Sequence, residues 1–265
     1  MSDQWTLNRL NFDGCWRGRG AWFQRDASGR LNLEVPTRLV DPTTYDISFR
    51  DADTGVWDGS GLFFAPGGIA TYAISRGTYN ASGGCWQFPG AGGQSSLAFD
   101  PNAGRFGHEI NLFCGRSRSM LVLIWESVDS RWRLQVVGAV AFRCCNAVDI
   151  EAERPRVGTP EALLEPLRGW SGTVERLRPA PGVEAQATEP RPVVFTPESL
   201  LCQPCSAVMP DGLVFSVPDQ LPDCAFRLEI GGLLGSHLFQ QVSILFDAQG
   251  HLTTWERRRF QPWSD

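Results

Sequence analysis

The sequence predicts an all-β protein made of two antiparallel β-barrels in tandem, the second one shorter, joined by a linker with a short helix. Three observations support this prediction: a turn-rich and aromatic composition, apolar alternation with a period of two, and a partial return of the first pattern late in the chain. The 265 residues include 28 Gly, 18 Pro and 10 Trp. Such a composition suits many short strands joined by turns better than long helices.

The first half contains several segments that read as strands. "RLNLEVPTRLV" places Leu31, Leu33, Val35 and Leu39 on one face, as in a half-buried strand. "GVWDGSGLFFAPGGIATYAISRGTY" predicts a hairpin that turns at residues 66–68. "RFGHEINLFC", "SMLVLIWESVDSRW" and "WRLQVVGAVAFR" predict a meander, with a turn at residues 129–130. Roughly eight to ten strands are expected, which is enough to close one barrel.

The composition changes near residue 146, where strand alternation stops. Thr159 is a good N-cap and Pro160 suits the first position of a helix. We therefore predict a first barrel over residues 1–148, a linker with a short helix over residues 149–166, and a smaller barrel over residues 167–265.

The two halves share a weak repeat. Trp16-x-Gly18 in the first half is echoed by Trp170-x-Gly172 in the second. Both halves also end with an apolar strand, an acidic turn and a strand that closes on arginine. Two copies of one supersecondary plan are the economical interpretation.

Composition excludes several classes of function. The net charge is −5, and all 24 basic residues are arginine. Without lysine there is no Schiff-base chemistry and no P-loop lysine. An acidic chain with scattered arginines argues against nucleic acid as a partner. No signal peptide or bilayer-spanning run is visible, so we predict a cytoplasmic protein without a membrane span.

Trp16 lies between Gly14 and Gly18 at the expected start of a strand. A large ring flanked by glycines is typical of a side chain that covers one end of a closed structure. A Trp on the first strand that is covered by an Arg from the last strand resembles the end plug of lipocalin barrels. Here the partner would be Arg143, and in the second half Trp170 would pair with Arg257 or Arg259. We expect these groups to be structural.

The whole chain resembles a cyanobacterial and plastid family of unknown function that is built from tandem lipocalin-like (calycin) barrels. The shared features are the opening "W-x-G…D-x-x-G-x-L", from Trp16 to Leu31, and the aromatic strands after it. The resemblance implies nearly full-length coverage and a pocket for a tetrapyrrole or bilin, a carotenoid or a fatty acid. It carries no catalytic residues.

Two polar residues are candidates for the barrel interior. His108 shares a face with Phe106, Ile110 and Leu112, so we expect its imidazole to point into the first barrel beside a cavity. Glu126 has the parity of the apolar residues of the next strand, which would bury its carboxylate and raise its pKa. The alternative interpretation of His108 is an ordinary core histidine.

Other candidates belong to the rim and the wall. Arg116 and Arg118 are expected at the rim, where they would either face solvent or bind a ligand carboxylate. Tyr72, Trp57 and Trp125 are expected in the wall of the core or cavity. Cys202 and Cys205 have C-x-x-C spacing, but a zinc site needs four ligands, so we predict ordinary thiols, no metal and no cofactor.

The leading functional prediction is binding of an apolar or amphipathic small molecule in the first barrel. One alternative is a lipocalin-like enzyme, an isomerase, hydratase, cyclase or chromophore lyase, with His108 and Glu126 as its acid/base pair. The other is a scaffold with filled barrels. The sequence leaves open whether the chain is an enzyme.

Overall fold

The computed structural model describes residues 3–59, 71–100, 102–128, 131–148, 150–179 and 185–263. Two α-helices are present in this part of the chain: α1 (Gln4–Phe12) and α2 (Pro160–Leu164). The first nine strands are β1 (Gly14–Gln24), β2 (Arg38–Phe49), β3 (Thr54–Asp58), β4 (Thr71–Ser75), β5 (Cys85–Phe88), β6 (Ala91–Ser95), β7 (Arg105–Cys114), β8 (Ser117–Val128) and β9 (Arg131–Cys144). The other seven are β10 (Ser171–Leu177), β11 (Arg191–Val194), β12 (Cys205–Val208), β13 (Leu213–Val217), β14 (Phe226–Leu233), β15 (Phe239–Phe246) and β16 (Leu252–Gln261).

The strands form two antiparallel sheets. The first has nine strands in the order β4-β3-β2-β1-β9-β8-β7-β6-β5, and the second has seven in the order β11-β10-β16-β15-β14-β13-β12. Removing β3 and β4 from the first order leaves seven strands that correspond one to one with the second. The all-β class is confirmed. Among the described residues no strand pairing joins β4 to β5.

The largest apolar core lies between the two sheets and is built from both of them. It includes Phe106 and Leu123 of the first sheet and Leu228 and Trp255 of the second, all fully buried. The Ser95 hydroxyl links the halves, because it accepts hydrogen bonds from the indoles of both Trp86 and Trp255 at 3.1 Å. Each sheet therefore buries one face against the other sheet, which tandem barrels with separate cores would not do.

The opposite face of each sheet packs under a helix, and we call it the helix face. In the first sheet it carries Trp16 and Tyr45 beneath Trp5 and Phe12 of α1. In the second it carries Phe239 and Phe260 beneath the leucines of α2. Because both faces of both sheets are covered, apolar side chains occur at odd and even positions alike.

The two W-x-G elements occupy equivalent register positions. Gly18 of β1 lies opposite Phe142 of β9, and Gly172 of β10 lies opposite Phe260 of β16. A Cβ at Gly18 would sit 2.0 Å from a carbonyl oxygen of the neighbouring strand, and one at Gly172 would sit 2.3 Å from the corresponding oxygen. Only glycine permits this close approach of the two backbones.

The predicted strand around residues 30–40 is wrong in its first part. Residues 25–37 form a loop, and β2 begins at Arg38. Arginine side chains bind the loop backbone in place of a partner strand: Arg156 donates to the carbonyls of Leu33 and Glu34, and Arg25 donates to Gly29. Helix α1 was not predicted; Asp3 caps it by accepting a hydrogen bond from the Thr6 amide.

The other local predictions mostly hold. The hairpin is the β3–β4 pair and the meander is β7–β8–β9. Helix α2 begins at Pro160, with the Thr159 hydroxyl accepting from the Ala162 amide. The turns at residues 66–68 and 129–130 fall outside the described residues. Within the described ranges, neither helix has the length and apolar character needed to cross a bilayer.

Candidate functional site

Trp16 lies at one end of the helix face of the first sheet. Its side chain is fully buried, and its indole N–H donates to the Phe12 carbonyl at 2.8 Å. The last turn of α1 therefore satisfies the polar atom of the ring. The guanidinium carbons of Arg116 and Arg118 lie 4.8 and 5.7 Å from the ring centroid. Trp16 is therefore buried beneath arginine side chains, and its role as an end plug stays a prediction.

The predicted partner of Trp16 is wrong. Trp16 lies opposite Cys144, whereas Arg143 lies opposite Arg17, so alternation sends the Arg143 side chain to the other face of the sheet. There its guanidinium binds both carboxylate oxygens of Asp211, at 2.7 and 3.1 Å. Arg143 therefore connects the first sheet to the second half of the chain.

Arg118 takes the place that was predicted for Arg143. It was expected at an exposed rim, but its side chain is completely buried. Five rings surround its guanidinium carbon at 4.2–5.9 Å: those of Phe12, Trp16, Tyr45, Phe113 and Phe142. Cation–π attraction at this many faces compensates part of the lost hydration. Arg116 is the exposed member of the pair and lies at the β7–β8 turn.

Polar partners of Arg118 lie on one side of this cage. Its Nε donates to Asn111 Oδ1 at 2.6 Å, and its Nη2 lies 3.3 Å from Glu109 Oε1. Burial lowers the pKa of Arg118, while the charge of Glu109 acts in the opposite direction. A guanidinium keeps its proton in proteins, so the pair is a buried cation beside a carboxylate.

A pocket of about 170 Å³ opens beside Glu109. Its lining residues are Gln94, Arg105, Gly107, His108, Glu109, Val122 and Ile124. Glu109 Oε1 accepts from Asn111 at 2.9 Å and from Arg118. Within the described part of the chain, no hydrogen bond reaches Glu109 Oε2. The pocket thus combines apolar strand residues with one carboxylate oxygen that is free to accept.

An aromatic wall stands on the same helix face. Trp57 stacks on Tyr72 with centroids 4.1 Å apart and meets Tyr45 edge-on at 5.1 Å. The chain has three tyrosines, and all of them, including Tyr79, belong to this cluster. Burial raises the pKa of all three phenols, so they remain neutral. Tyr72 and Trp57 are wall residues, as their positions predicted.

His108 borders the pocket beside Glu109, but its buried imidazole points to the opposite face of the sheet. It shares its face with Phe106, Ile110 and Leu112 as predicted, and that face is the core between the sheets. Three aromatic rings surround the imidazole at 4.6–6.0 Å: Phe106, Trp125 and Phe246. Neither ring nitrogen has a hydrogen-bond partner among the described residues, and burial lowers the pKa of His108 to about 3. The expectation of an imidazole inside the first barrel is wrong.

Glu126 does not join His108. Glu126 shares the face of Val122 and Ile124, as its parity predicted, and this face is opposite to that of His108. Glu126 lies opposite Arg105 at the partly exposed end of the strands, and the two form an ion pair at 2.9 Å. The predicted acid/base pair is therefore not assembled, and burial does not isolate this carboxylate.

Trp125 is fully buried in the core between the sheets. Its indole donates to the Pro218 carbonyl at 3.1 Å, so it ties β8 to the second half of the chain. Trp125 alternates with Leu121 and Leu123 on the face of β8 that meets this core.

The predicted plug of the second half is not formed. Trp170 is only half-buried, and Arg259 is exposed. Arg257 lies 3.2 Å from Glu175 and donates to the Pro89 carbonyl. Instead of a Trp–Arg pair, the rings of Phe195, Phe239 and Phe260 fill the equivalent place with centroids 5.0–6.3 Å apart.

The eight cysteines are free thiols. Cys202 donates to the Ser199 carbonyl, and burial raises the pKa of Cys205 to about 12. Across the described ranges, no group of three or more His, Cys, Asp or Glu side chains could hold a metal ion.

The sequence analysis missed Glu109, Asn111 and Tyr45, the polar residues of the site. A signal was available: Gly107, Glu109, Asn111 and Phe113 alternate with the apolar face of β7. The burial of Asn111 shows that this set forms an interior face with polar contents.

Comparison with known proteins identifies the fold. No family model and no curated protein matches this sequence. A protein of unknown function from the DUF3598 family of Nostoc punctiforme matches with a TM-score of 0.70 and 16% identity, covering 99% of this chain and 100% of that one. A hot dog fold protein of unknown function from Alicyclobacillus acidocaldarius aligns over 83% of this chain and 96% of its own, with 8% identity and a TM-score of 0.14.

The similarity to the Nostoc structure confirms, at the level of the fold, the predicted resemblance to a cyanobacterial family of unknown function. At 16% identity it carries no information on activity. Over its full length, this chain has the fold of that DUF3598 protein.

Proposed function

We propose that the protein binds an amphipathic small molecule in the pocket beside Glu109, on the helix face of the first sheet. In this proposal the first sheet acts as a lipocalin-like barrel, and the two halves are copies of one plan. The observation that carries the proposal is Oε2 of Glu109, which no described residue binds, at an opening lined by the apolar Val122 and Ile124 together with Gln94 and Arg105. Binding pockets commonly combine apolar walls with a few fixed polar groups.

The arrangement of the helix face supports this proposal. Arg118 and its five rings fill one end, so a ligand has room only at the other. Between the ends, Val122 and Ile124 present apolar surface, and Trp57 stacks on Tyr72 nearby. A ligand would lay its apolar body on these side chains.

The charges narrow the class of ligand. Arg118 forms an ion pair with Oε1 of Glu109. The other carboxylate oxygen, Oε2, can therefore accept a hydrogen bond from a ligand donor such as a hydroxyl or an ammonium group. A fatty-acid carboxylate would face a like charge and is disfavoured. A pocket of about 170 Å³ is also smaller than the several hundred Å³ typical of ligand sites, so it would hold the head group of a longer molecule.

The enzyme alternative depended on an acid/base pair of His108 and Glu126, and these residues lie on opposite faces of the first sheet. We do not propose it. The scaffold alternative would be supported if no ligand binds in the experiment below.

The test is a fluorescence titration with three ligands that share a ten-carbon chain: 1-decanol, decylamine and decanoate. Indoles near the site, such as Trp57, supply the signal. We expect saturable binding of the alcohol and the amine, and weaker binding of the acid. A bilin and a carotenoid complete the panel, and native mass spectrometry of protein from its own host shows whether a ligand copurifies.

Glu109→Gln is the informative variant, because it keeps an acceptor oxygen and removes the charge. It should weaken decylamine binding about tenfold and decanol binding less. Glu34→Gln is the matched control, since Glu34 is exposed in the loop before β2. No saturable binding of any ligand, or equal binding of all three head groups by both proteins, would leave the scaffold alternative.

A further inference from the structure

Strand register places a second glutamate at the position equivalent to Glu109. Glu109 lies between Gln94 and Val122 on neighbouring strands, and Glu229 lies between Ser216 and Ser243. Both are on helix faces, at the same distance in register from the W-x-G glycine strands. The second site differs in what surrounds the glutamate.

The helix face of the second sheet concentrates positive charge. In the described part of the chain four strand arginines lie on it, Arg176, Arg191, Arg227 and Arg258, and Arg178 adjoins them just after the end of β10. Their placement follows from pairing and alternation, since Arg191 is opposite Val174, Arg258 is opposite both Val174 and Gln241, and Arg227 is two residues from Glu229. Two carboxylates, Glu229 and Glu256, share the face, which leaves a local charge of +3 in a chain of net charge −5.

Part of this charge is already paired. Glu256 accepts from Arg176 at 2.5 Å and contacts Arg258. Arg258 also donates to the Ser243 hydroxyl, and that hydroxyl donates to Glu229. Arg227 approaches Glu229 at 3.3 Å. These contacts hold Arg176, Arg227 and Arg258 in place across four strands.

Two arginines, Arg178 and Arg191, take no part in these contacts, and both line a pocket. This pocket has a volume of about 440 Å³ and is lined by Arg176, Arg178, Ala185, Gln186, Thr188 and Arg191. The guanidinium groups of Arg178 and Arg191 make no hydrogen bond or ion pair with any described residue. At the equivalent positions of β1, Trp22 corresponds to Arg176 and Gln24 to Arg178, so the shared framework does not require these charges.

We infer that this pocket is an anion-binding site for a small molecule with more than one phosphate or carboxylate group. Like charges side by side on neighbouring strands are unfavourable unless a counter-ion joins them. The guanidinium fork binds phosphate and carboxylate in a bidentate way, and Thr188 and Gln186 supply further donors. This site is independent of the Glu109 pocket and would bind a ligand of the opposite charge preference.

The experiment is isothermal titration calorimetry of the full chain with pyrophosphate and, separately, with citrate. The two probes distinguish phosphate from carboxylate recognition. We expect saturable binding of at least one of them, and weaker binding at higher salt. Binding of neither probe at millimolar concentration would overturn the inference.

The variant Arg178→Gln/Arg191→Gln should weaken the binding about tenfold or more, since each lost contact is a hydrogen bond to a charged group. The control Arg30→Gln/Arg50→Gln removes the same charge from exposed arginines of the first half. Circular dichroism verifies that both variants fold. If both double variants weaken anion binding equally, the attraction is non-specific and the inference of a site is wrong.

Discussion

The two sheets share strand order and register but fill their helix faces differently. The closed end of the first holds Arg118 in a cage of five rings, and the equivalent position in the second is Phe239, packed on Phe195 and Phe260. A buried cation needs polar partners, which the first sheet supplies through Asn111 and Glu109. The equivalent end of the second sheet is filled by phenylalanine rings, which need no polar partners.

The open ends differ in the opposite sense. In the first sheet Glu109 adjoins Val122 and Ile124, whereas in the second Glu229 adjoins Ser243 and Arg227. The comparison teaches that the close backbone approach at Gly18 and Gly172 is common to both sheets, while the side chains around it differ in charge and polarity. Three further experiments test this comparison, each by contrasting equivalent positions.

The largest expected effect concerns the equivalent tryptophans. Trp16→Ala should lower the free energy of unfolding by about 3–5 kcal/mol, because it empties a fully buried site and removes the bond to Phe12. Trp170→Ala should cost only about 1–2 kcal/mol, because that ring is half-buried. Urea unfolding measures both. Trp16→Phe provides a milder variant if the first does not fold, and equal losses at the two positions would contradict the difference between the ends.

The second experiment concerns His108, whose equivalent position in the second sheet is Leu228. The imidazole pKa is lowered to about 3 by burial, from about 6.5 in the unfolded chain. The unfolded state therefore binds more protons below pH 6.5, and the folded state loses stability as the pH falls from 6.5 towards 3. At pH 5 this loss amounts to about 2 kcal/mol relative to pH 8.

His108→Leu should remove this part of the pH dependence and raise the unfolding free energy at neutral pH. Denaturation curves of wild type and variant at pH 5 and pH 8 give the comparison. An unchanged difference between the two pH values in the variant would show that the imidazole keeps its ordinary pKa, and hence that water or a ligand reaches it.

The smallest effect contrasts Glu109 with Glu229. Glu109→Gln breaks an ion pair with a buried arginine and should lower stability by about 1–2 kcal/mol. Burial raises the pKa of Glu229, so its folded state holds the proton more tightly than the unfolded chain does. Its contribution to stability therefore falls as the pH rises from about 4.5 through the raised pKa.

Glu229→Gln should consequently cost no stability at pH 8 and should flatten the dependence above pH 4.5. The measurement is chemical denaturation of the three proteins at pH 5 and pH 8. A larger loss at Glu229 than at Glu109 would reverse the comparison and make Glu229 the better-paired carboxylate.

The amino-acid sequence alone determined the all-β class, the β7–β8–β9 meander, the capped helix α2 and the burial of Trp16. These features depend on contacts between near neighbours in the chain: alternation, a capping hydroxyl beside Pro160, and glycines flanking one ring. The same alternation correctly grouped His108 with Phe106 and Ile110.

The tertiary structure decided which face of each sheet packs against the other sheet and which packs under a helix. Both faces of β7 are buried, so parity sorts its residues into two groups but does not say which group meets the other sheet and which meets α1. It also decided the partner of Trp16, because alternation turns Arg143 towards Asp211, and it placed Glu126 beside Arg105 at a partly exposed strand end. Long-range pairing sets these positions, and nothing in the local pattern records them.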